Sequence, residues 1–155
     1  MADATPSKPD ETKATDAPAK PAAKAKKAKP PKLEDKPFDE FIQQHFMPGA
    51  ESALKDEGLE DISLSFEQKP LEVVGAPSSV PCWQVIGHWE NGQRQFNIGF
   101  LEEDITGQKV FSYSDGGAKP STIEQFMGDE RRITLDLMVL YTIQRLNGQK
   151  WLTRN

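Results

Sequence analysis

The dipeptide Asn91-Gly92 separates two runs of alternating apolar and polar residues, and this arrangement constrains the fold more than any other feature of the chain. Asn and Gly adopt the positive φ angles of a tight hairpin turn more readily than other residues do. Large apolar side chains share one face on both sides of the turn: Trp83, Val85 and Trp89 before it, and Phe96, Ile98 and Phe100 after it. The sequence therefore predicts an antiparallel hairpin with an aromatic buried face.

Further strands are predicted on either side of this hairpin. Ile62–Phe66 alternates apolar with polar residues before it, and Val110–Tyr113 supplies a short strand-like segment after it. The intervening segment Lys69–Pro81 contains prolines, serines and a glycine, which predicts an exposed loop. The middle of the chain is thus expected to form an antiparallel meander of about four strands.

A helix is predicted before the meander. Apolar residues recur at helical spacing from Phe38 to Phe46, after Pro37, a residue that suits the first turn of a helix. Pro48-Gly49 is expected to interrupt or kink the helix, because proline lacks the amide proton that a helix interior uses. Gly58 is expected to end it.

Helical patterns return after the meander. Ser121 and Glu124 have the spacing of a capping box, which predicts a short helix that begins there. Gly128-Asp129 is expected to break that helix and to cap a longer one, which Asn147-Gly148 ends. Helices on both sides of a meander predict an α+β fold of two layers, in which the N-terminal helix and the C-terminal helices cover one sheet face.

The chain divides at Pro37 by composition and charge. Residues 1–36 carry nine lysines against six acidic residues, whereas residues 37–155 carry ten Lys and Arg against eighteen acidic residues. Leu33 is the only large apolar residue of the first segment after Met1, so this segment cannot bury enough surface to offset the loss of chain entropy. We therefore expect a disordered Lys/Ala/Pro-rich arm over 1–36 and a single domain over 37–155.

No catalytic, cofactor or metal site is predicted. Cys82 is the only cysteine, and the two histidines, His45 and His88, have no nucleophile or metal-ligand motif around them. The adjacent acids Glu102–Asp104 lack the spacing of a calcium loop and are interpreted as a solvated turn. The net charge of −8 over residues 37–155 disfavours nucleic acid as a partner, because affinity for phosphates depends on Lys and Arg.

The sequence also predicts no direct association with a membrane. Its apolar runs are much shorter than the roughly 20 residues that span a bilayer. The first residues lack the apolar core of a secretory signal, and their acids argue against an organellar transit peptide. We therefore expect an untargeted prokaryotic protein that meets membranes only through partners.

A basic region is concentrated at the end of this acidic domain. From residue 131 onward, five Lys and Arg residues stand against a single acid, Asp136. Trp combined with Arg is typical of protein interfaces. The sequence therefore predicts a partner interface formed by Arg131, Arg132, Arg145, Gln149, Lys150, Trp151 and Arg154. The alternative, in which Trp151 and Leu152 fold back and cap the core, is equally compatible with the sequence.

Five segments together carry a family resemblance: Pro37–Ile42, Trp89–Phe100, Pro120–Glu124, Asp129–Arg132 and Arg145–Trp151. They resemble the NdhV family of cyanobacteria and chloroplasts, and the closing run Arg-Leu-Asn-Gly-Gln-Lys-Trp is the most specific of them. The resemblance covers residues 37–155 and not the arm. It implies a small, peripheral, cofactor-free subunit of the photosynthetic NDH complex, the relative of respiratory complex I that passes electrons from reduced ferredoxin to plastoquinone.

In that family the subunit lies on the hydrophilic arm of the complex, beside the ferredoxin-docking subunit NdhS and the iron–sulfur subunits. The resemblance therefore implies a non-catalytic accessory subunit that stabilises this arm and supports ferredoxin-dependent cyclic electron transport. It also implies a peripheral location on the cytoplasmic side of the thylakoid membrane. We further expect the Lys-rich arm to attract acidic ferredoxin.

Two other classes of function stay open. One is an assembly factor or chaperone that binds a photosynthetic complex and then leaves it. The other is an enzyme or a carrier of a small ligand, with a pocket between the sheet and the helices.

Overall fold

A computed structural model of the chain describes residues 31–74 and 76–152. The disorder predicted for residues 1–30 and the position of Arg154 therefore lie outside the described residues. Within the predicted arm, Leu33–Asp35 forms a short 3₁₀ helix. The carboxylate of Glu34 accepts a hydrogen bond of 2.9 Å from the backbone amide of Leu135. The folded part of the chain thus begins before Pro37, because Glu34 satisfies a free amide at the start of the last helix.

The first helical segment runs continuously from Phe38 to Asp56. It consists of α1 (Phe38–Phe41), a π-helical turn (Ile42–Phe46) and α2 (Met47–Asp56). The interruption predicted at Pro48-Gly49 is a π turn that lies just before Met47, and the helix continues through the proline. The wider turn suits this position, because Pro48 has no amide to donate and would crowd the carbonyl four residues back in a regular helix.

The predicted end of this segment at Gly58 is confirmed. The amide of Gly58 donates to the carbonyl of Lys55 and the amide of Leu59 to that of Leu54, each at 3.0 Å. This is a Schellman turn, in which one residue adopts a left-handed conformation. Gly58 has a φ of 99° and no side chain to oppose it.

Five antiparallel strands form one sheet in the order β1-β2-β3-β4-β5. The strands are β1 (Ser63–Val73), β2 (Ala76–Trp89), β3 (Arg94–Phe100), β4 (Lys109–Asp115) and β5 (Glu124–Gln125). The predicted hairpin at Asn91-Gly92 is confirmed, since β2 and β3 pair with Val85 opposite Ile98. Asn91 and Gly92 both have positive φ, at 56° and 78°.

The prediction of an exposed loop at Lys69–Pro81 is wrong. The first two strands continue through this segment as a ribbon, in which Pro70 lies opposite Pro81. β3 pairs only with residues 83–89 of β2, so the ribbon has no third strand. Proline is tolerated there because its missing amide is not needed by a neighbouring strand.

The short helix predicted at Ser121 is also wrong. Residues 124 and 125 form β5 instead, which pairs with Val110 and Phe111 of β4. The capping box fails because the Glu124 side chain pairs with Arg145, far away in the sequence, and cannot reach back to a helix start.

The C-terminal helix α3 spans Leu135–Gly148. It begins later than the predicted start at Gly128-Asp129, because Thr134 is the N-cap: its hydroxyl accepts a hydrogen bond of 3.2 Å from the amide of Leu137. The end predicted at Asn147-Gly148 is confirmed. α3 is the only helix that the described residues form after the sheet.

The helices cover one face of the sheet and enclose the main core, which gives the expected α+β fold of two layers. Large side chains that are at most 2% exposed fill the space between the layers: Phe41, Phe46, Trp89, Phe96, Phe100, Phe111, Met138 and Leu146. A ligand carrier of the kind considered above would need this space. No helix in the described part of the chain is both long and apolar enough to cross a bilayer.

The opposite face of the sheet combines polar side chains with a small buried cluster of Leu71, Cys82 and Val110. Side-chain amides run across its strands, with Gln95 donating to Asn97 at 2.5 Å and Asn97 to Gln84 at 3.0 Å. Gln84, which is fully buried, donates to the backbone carbonyl of Lys69 at 2.8 Å. Each buried amide thus has a partner, as burial of polar groups requires.

Candidate functional site

Arg145 lies in the last turn of α3, and its guanidinium is engaged in internal contacts. Nε and Nη2 donate to the two carboxylate oxygens of Glu124, each at 2.7 Å. The guanidinium carbon lies 5.1 Å from the ring centroids of both Phe111 and Tyr113. The bidentate pair lowers the pKa of Glu124 and raises that of Arg145. Arg145 therefore fastens α3 to β4 and β5.

Trp151 turns back from the end of α3 into the core, as in the second interpretation of the sequence. Its ring is 8% exposed and lies edge-on to Trp89 at 5.3 Å and to Tyr113 at 5.5 Å between centroids. Leu152 is also buried. The guanidinium of Arg94 lies 5.3 Å from the Trp151 ring centroid. The indole is thus covered by the chain itself and is not offered to a partner.

A tight turn connects α3 to Trp151 and exposes Lys150. The amide of Trp151 donates to the carbonyl of Leu146 at 3.2 Å, and the amide of Lys150 to that of Asn147 at 2.8 Å. This is again a Schellman turn, and Lys150 has a φ of 61° at the position that glycine usually takes. Its exposed side chain forms no ion pair with any residue in the described ranges.

The remaining predicted interface residues lie on either side of α3 along the chain. Arg131 and Arg132 are exposed but precede α3, whereas Lys150 follows it. The segment with the two arginines contacts the side of α3 through Glu130 and Tyr141, whereas Lys150 lies in the turn after the end of the helix at Gly148. Gln149 accepts a weak hydrogen bond of 3.4 Å from Arg145. The structure thus places Arg145, Gln149, Lys150 and Trp151 at the C-terminal end of α3 and leaves Arg131 and Arg132 on the segment before the helix.

The acids beside these arginines have a different role from the one expected. The helix predicted to start at Gly128-Asp129 would have placed Asp129 and Glu130 at its beginning, but α3 starts only at Leu135. The Glu130 carboxylate instead accepts a hydrogen bond from the Tyr141 hydroxyl, which raises the pKa of Tyr141. This contact fastens the segment before α3 to the side of the helix.

A second aromatic group lies near the middle of β2, at Trp83, where the pairing of this strand with β3 ends. Trp83 stacks on Phe66, with ring centroids 4.6 Å apart and planes 16° apart. Phe38 of α1 lies 5.9 Å from Phe66, and all three rings are half-buried. The indole N–H of Trp83 donates to the carboxylate of Glu103 at 2.9 Å, which fixes the orientation of the ring.

A cavity of ≈ 430 Å³ opens beside these rings. Its lining residues are Pro37, Phe38, Asp39, Gln43, Trp83 and Glu103. Sequence reasoning interpreted the aromatic residues of the meander as core and missed this site. Trp83 and Glu103 are 20 positions apart and Phe38 belongs to a different element, so no local pattern identifies the group.

The histidines lie in two separate places. His45 belongs to the π turn beside Phe41, and its Nε2 is buried without a hydrogen-bond partner. His88 lies on the face of the sheet opposite the predicted core face, and lines a cavity of ≈ 190 Å³ with Gln84 and Gln95.

The cysteine is not activated as a nucleophile. Burial raises the pKa of the Cys82 thiol, which keeps it in its unreactive protonated form.

The residues that follow the acids Glu102–Asp104 bind a cation from the protein itself. Lys109 is 4% exposed, and its ammonium donates to the carbonyls of Ile105 at 2.6 Å and Gly107 at 2.9 Å. Desolvation lowers the pKa of Lys109, and the nearby charge of Asp104 opposes this effect. Across the described ranges, no group of three or more His, Cys, Asp or Glu residues could hold a metal ion.

Comparison with known proteins adds one family. The sequence model of the family described as "Protein of unknown function (DUF2996)" matches residues 32–153. The match begins at the 3₁₀ helix and includes both the Lys150 turn and the aromatic group around Trp83. No curated protein matches the chain.

Proposed function

The chain belongs to the DUF2996 family of proteins of unknown function, and we propose that it is a non-catalytic accessory subunit of the photosynthetic NDH complex. In this role it stabilises the hydrophilic arm, beside subunits such as NdhS, and supports ferredoxin-dependent cyclic electron transport. Its place is peripheral, on the cytoplasmic side of the thylakoid membrane. The resemblance of five sequence segments to the NdhV family motivates the proposal.

The observation that carries the proposal is the conformation of the closing run Arg145–Trp151. Its Arg145, Leu146 and Trp151 side chains are packed internally, whereas Asn147, Gly148 and Lys150 are exposed. The internal contacts therefore hold the exposed residues as a rigid corner.

Within this corner, Lys150 is the residue whose conformation supports a role in binding. A non-glycine residue in the left-handed region costs about 1–2 kcal/mol, and glycine would remove that cost. A strained, exposed lysine at a fixed corner supports a role for its ammonium in docking on an acidic surface of the complex.

Affinity purification of the tagged full-length chain from a cyanobacterium tests the proposal. We expect subunits of the NDH complex, including NdhS, to accompany it in stoichiometric amounts. The Lys150→Glu variant should be retained less well, since it places a negative charge against the acidic surface. Lys119→Glu makes the same charge change at an exposed site elsewhere and serves as the matched control.

Other outcomes have distinct meanings. Recovery with partly assembled complexes only, in substoichiometric amounts, would favour the transient assembly factor. Absence of NDH subunits would contradict the proposal, and full retention of Lys150→Glu would exclude the Lys150 corner as the docking site. Arg145 is unsuitable for charge reversal, because its loss would leave Glu124 without its ion-pair partner.

The attraction of ferredoxin is assigned to the Lys-rich sequence before the domain. Residues 1–30 contain most of the lysines of the first segment, and long-range attraction raises association rates at low salt. Deleting residues 1–30 keeps Glu34 and should lower both the association rate of ferredoxin and its dependence on ionic strength. Equal rates across ionic strengths for both forms would exclude the arm from this step.

A further inference from the structure

The end of β2 near Trp89 shows how this protein combines aromatic rings with cations. The Arg94 guanidinium lies over Trp151, and that of Arg145 lies beside Phe111 and Tyr113, at centroid distances of 5.1–5.3 Å. These distances are in the range of cation–π attraction. Arg145 also has a carboxylate partner in Glu124. At this end, the aromatic rings, the cations beside them and the carboxylate that pairs with Arg145 all belong to the chain itself.

The group around Trp83, in the middle of β2, has two of these three components. Trp83 and Phe38 supply rings, and Asp39 and Glu103 supply carboxylates, all on the wall of the same cavity. Among the residues that the structure describes, no Lys or Arg lies over these rings. The nearest base along the chain, Lys36, donates instead to Glu40 at 2.8 Å.

The contacts that Asp39 and Glu103 make within the chain leave both carboxylates able to bind a cation. Glu103 accepts the indole N–H with one oxygen, Oε1, and its other oxygen keeps its capacity. Asp39 lies in the first turn of α1, where a negative charge stabilises a helix, and it forms no ion pair with a described residue. Phe66 covers one face of the indole, and the ring remains half-buried beside the cavity.

We propose that this cavity binds a lysine or arginine side chain of a partner protein, which lies against the Trp83 ring and pairs with Asp39 and Glu103. A cation is the component that the group around Trp83 lacks, so the expected occupant is a cationic side chain. A neutral apolar side chain would leave both carboxylates unpaired, and an acidic one would be repelled by them. The net charge of −8 over residues 37–155 adds to the attraction of a basic partner.

The test uses the ¹⁵N-labelled full-length chain and the indole N–H signals of its three tryptophans. The probes are N-acetylarginine amide and N-acetyllysine amide, with N-acetylcitrulline amide as the neutral analogue of arginine. We expect the cationic probes to shift the Trp83 signal with a dissociation constant on the order of 1–10 mM, as for one side chain without its protein. The signals of Trp89 and Trp151 should stay in place, since both rings are buried.

Variants separate binding from folding. Asp39→Asn combined with Glu103→Gln should weaken the cationic probes about tenfold, because two charge pairs are lost while the Trp83 hydrogen bond keeps an acceptor. Asp136→Asn, an exposed acid on α3, is the matched control. Dispersed signals in the same spectra verify that each variant is folded. Glu103→Gln alone gives a second, milder variant, for which a smaller loss of affinity is expected.

Three results would overturn the proposal. They are an equal response to the citrulline probe, unchanged affinity in the double variant, and a Trp83 signal that does not move. The experiment uses the isolated chain, so a failure here leaves the NDH proposal intact, and a failed purification of NDH subunits leaves this site intact.

Discussion

The two ends of the β2–β3 pairing, at Trp89 and at Trp83, differ in how fully the rest of the chain buries the aromatic side chains. Trp83 and Trp89 lie on the same face of β2, six residues or about 20 Å apart. Trp89 is buried against Trp151, beside two arginines that lie on neighbouring rings. Trp83 is half-buried beside a cavity with two carboxylates. The same kind of side chain therefore serves packing at one end and remains available at the other.

This difference bears on how interfaces are inferred from composition. The sequence predicts an interface at the C-terminal end because Trp and Arg are common in interfaces, and Trp151 and Arg145 lie there. Folding brings these two residues onto partners within the chain, and the cation left exposed at the C-terminal end of α3 is Lys150 in a strained turn. Composition identifies residues capable of strong contacts, and only the fold decides whether those contacts are internal.

The most direct test of this difference in packing is to replace one tryptophan of each aromatic group by alanine and to compare the losses of stability. Trp151→Ala should lower the free energy of unfolding by about 3–5 kcal/mol, because a buried ring is lost and a cavity forms between Trp89 and Tyr113. Trp83→Ala should cost only about 1–2 kcal/mol, because its ring is half-exposed. Urea unfolding followed by circular dichroism measures both values. Equal losses would mean that the two ends are packed alike.

A glycine between the two tryptophans provides the second test. A Cβ atom at Gly87 would lie 2.2–2.8 Å from three ring carbons of Phe96, which in turn packs on Trp89. Gly87→Ala should therefore destabilise the protein by about 1–3 kcal/mol through overpacking. Gly148→Ala is the control, since nothing lies within 4 Å of a Cβ there. A neutral Gly87→Ala variant would show that the Phe96 ring moves freely and that the Trp89 end is less rigid than described.

The turn at Asn91-Gly92 and the alternating runs beside it were predictable, because turn chemistry and strand periodicity are local. The errors occur where a distant partner outweighs a local signal. Glu124 has the spacing of a capping box, yet Arg145 and β4 hold it in a strand. The prolines of Lys69–Pro81 suggest a loop, yet that part of β2 needs no partner on its outer side.

The two candidate binding surfaces were less predictable than the fold for the same reason. The position of Lys150 just after a helix is readable from the sequence, but its left-handed conformation depends on Trp151 reaching the core. The site at Trp83 joins α1, β2 and the turn after β3, which only the folded chain brings together. Periodicity shows which side chains face inward, and it does not show which of those rings stay partly exposed beside a cavity.

The ion pair of the Trp89 end should give a small pH dependence of stability. Arg145 lowers the pKa of Glu124 in the folded state, so the pair stabilises the fold above the ordinary glutamate pKa of about 4.3. That contribution is lost as the pH falls through the lower pKa of the folded state. Glu124→Gln should therefore cost less than about 1 kcal/mol at pH 7, since the pair is partly exposed, and less still at pH 3.

Urea unfolding at the two pH values measures this difference, with Glu60→Gln at an exposed position as the control. A cost of Glu124→Gln that is unchanged at pH 3 would mean that the charge of Glu124 contributes nothing. The rings of Phe111 and Tyr113 would then hold Arg145 by themselves.

The smallest effect on stability, and the one that separates packing from docking most cleanly, is expected at Lys150. Lys150→Gly should raise the free energy of unfolding by about 0.5 kcal/mol, because relief of the left-handed strain exceeds the added entropy of the unfolded chain. Lys150→Ala also loses the ammonium but keeps the strain, so it should bring no such gain. Both variants should be retained equally poorly on the NDH complex if the ammonium docks there. Poor retention of Lys150→Gly alone would instead assign the role to the shape of the turn.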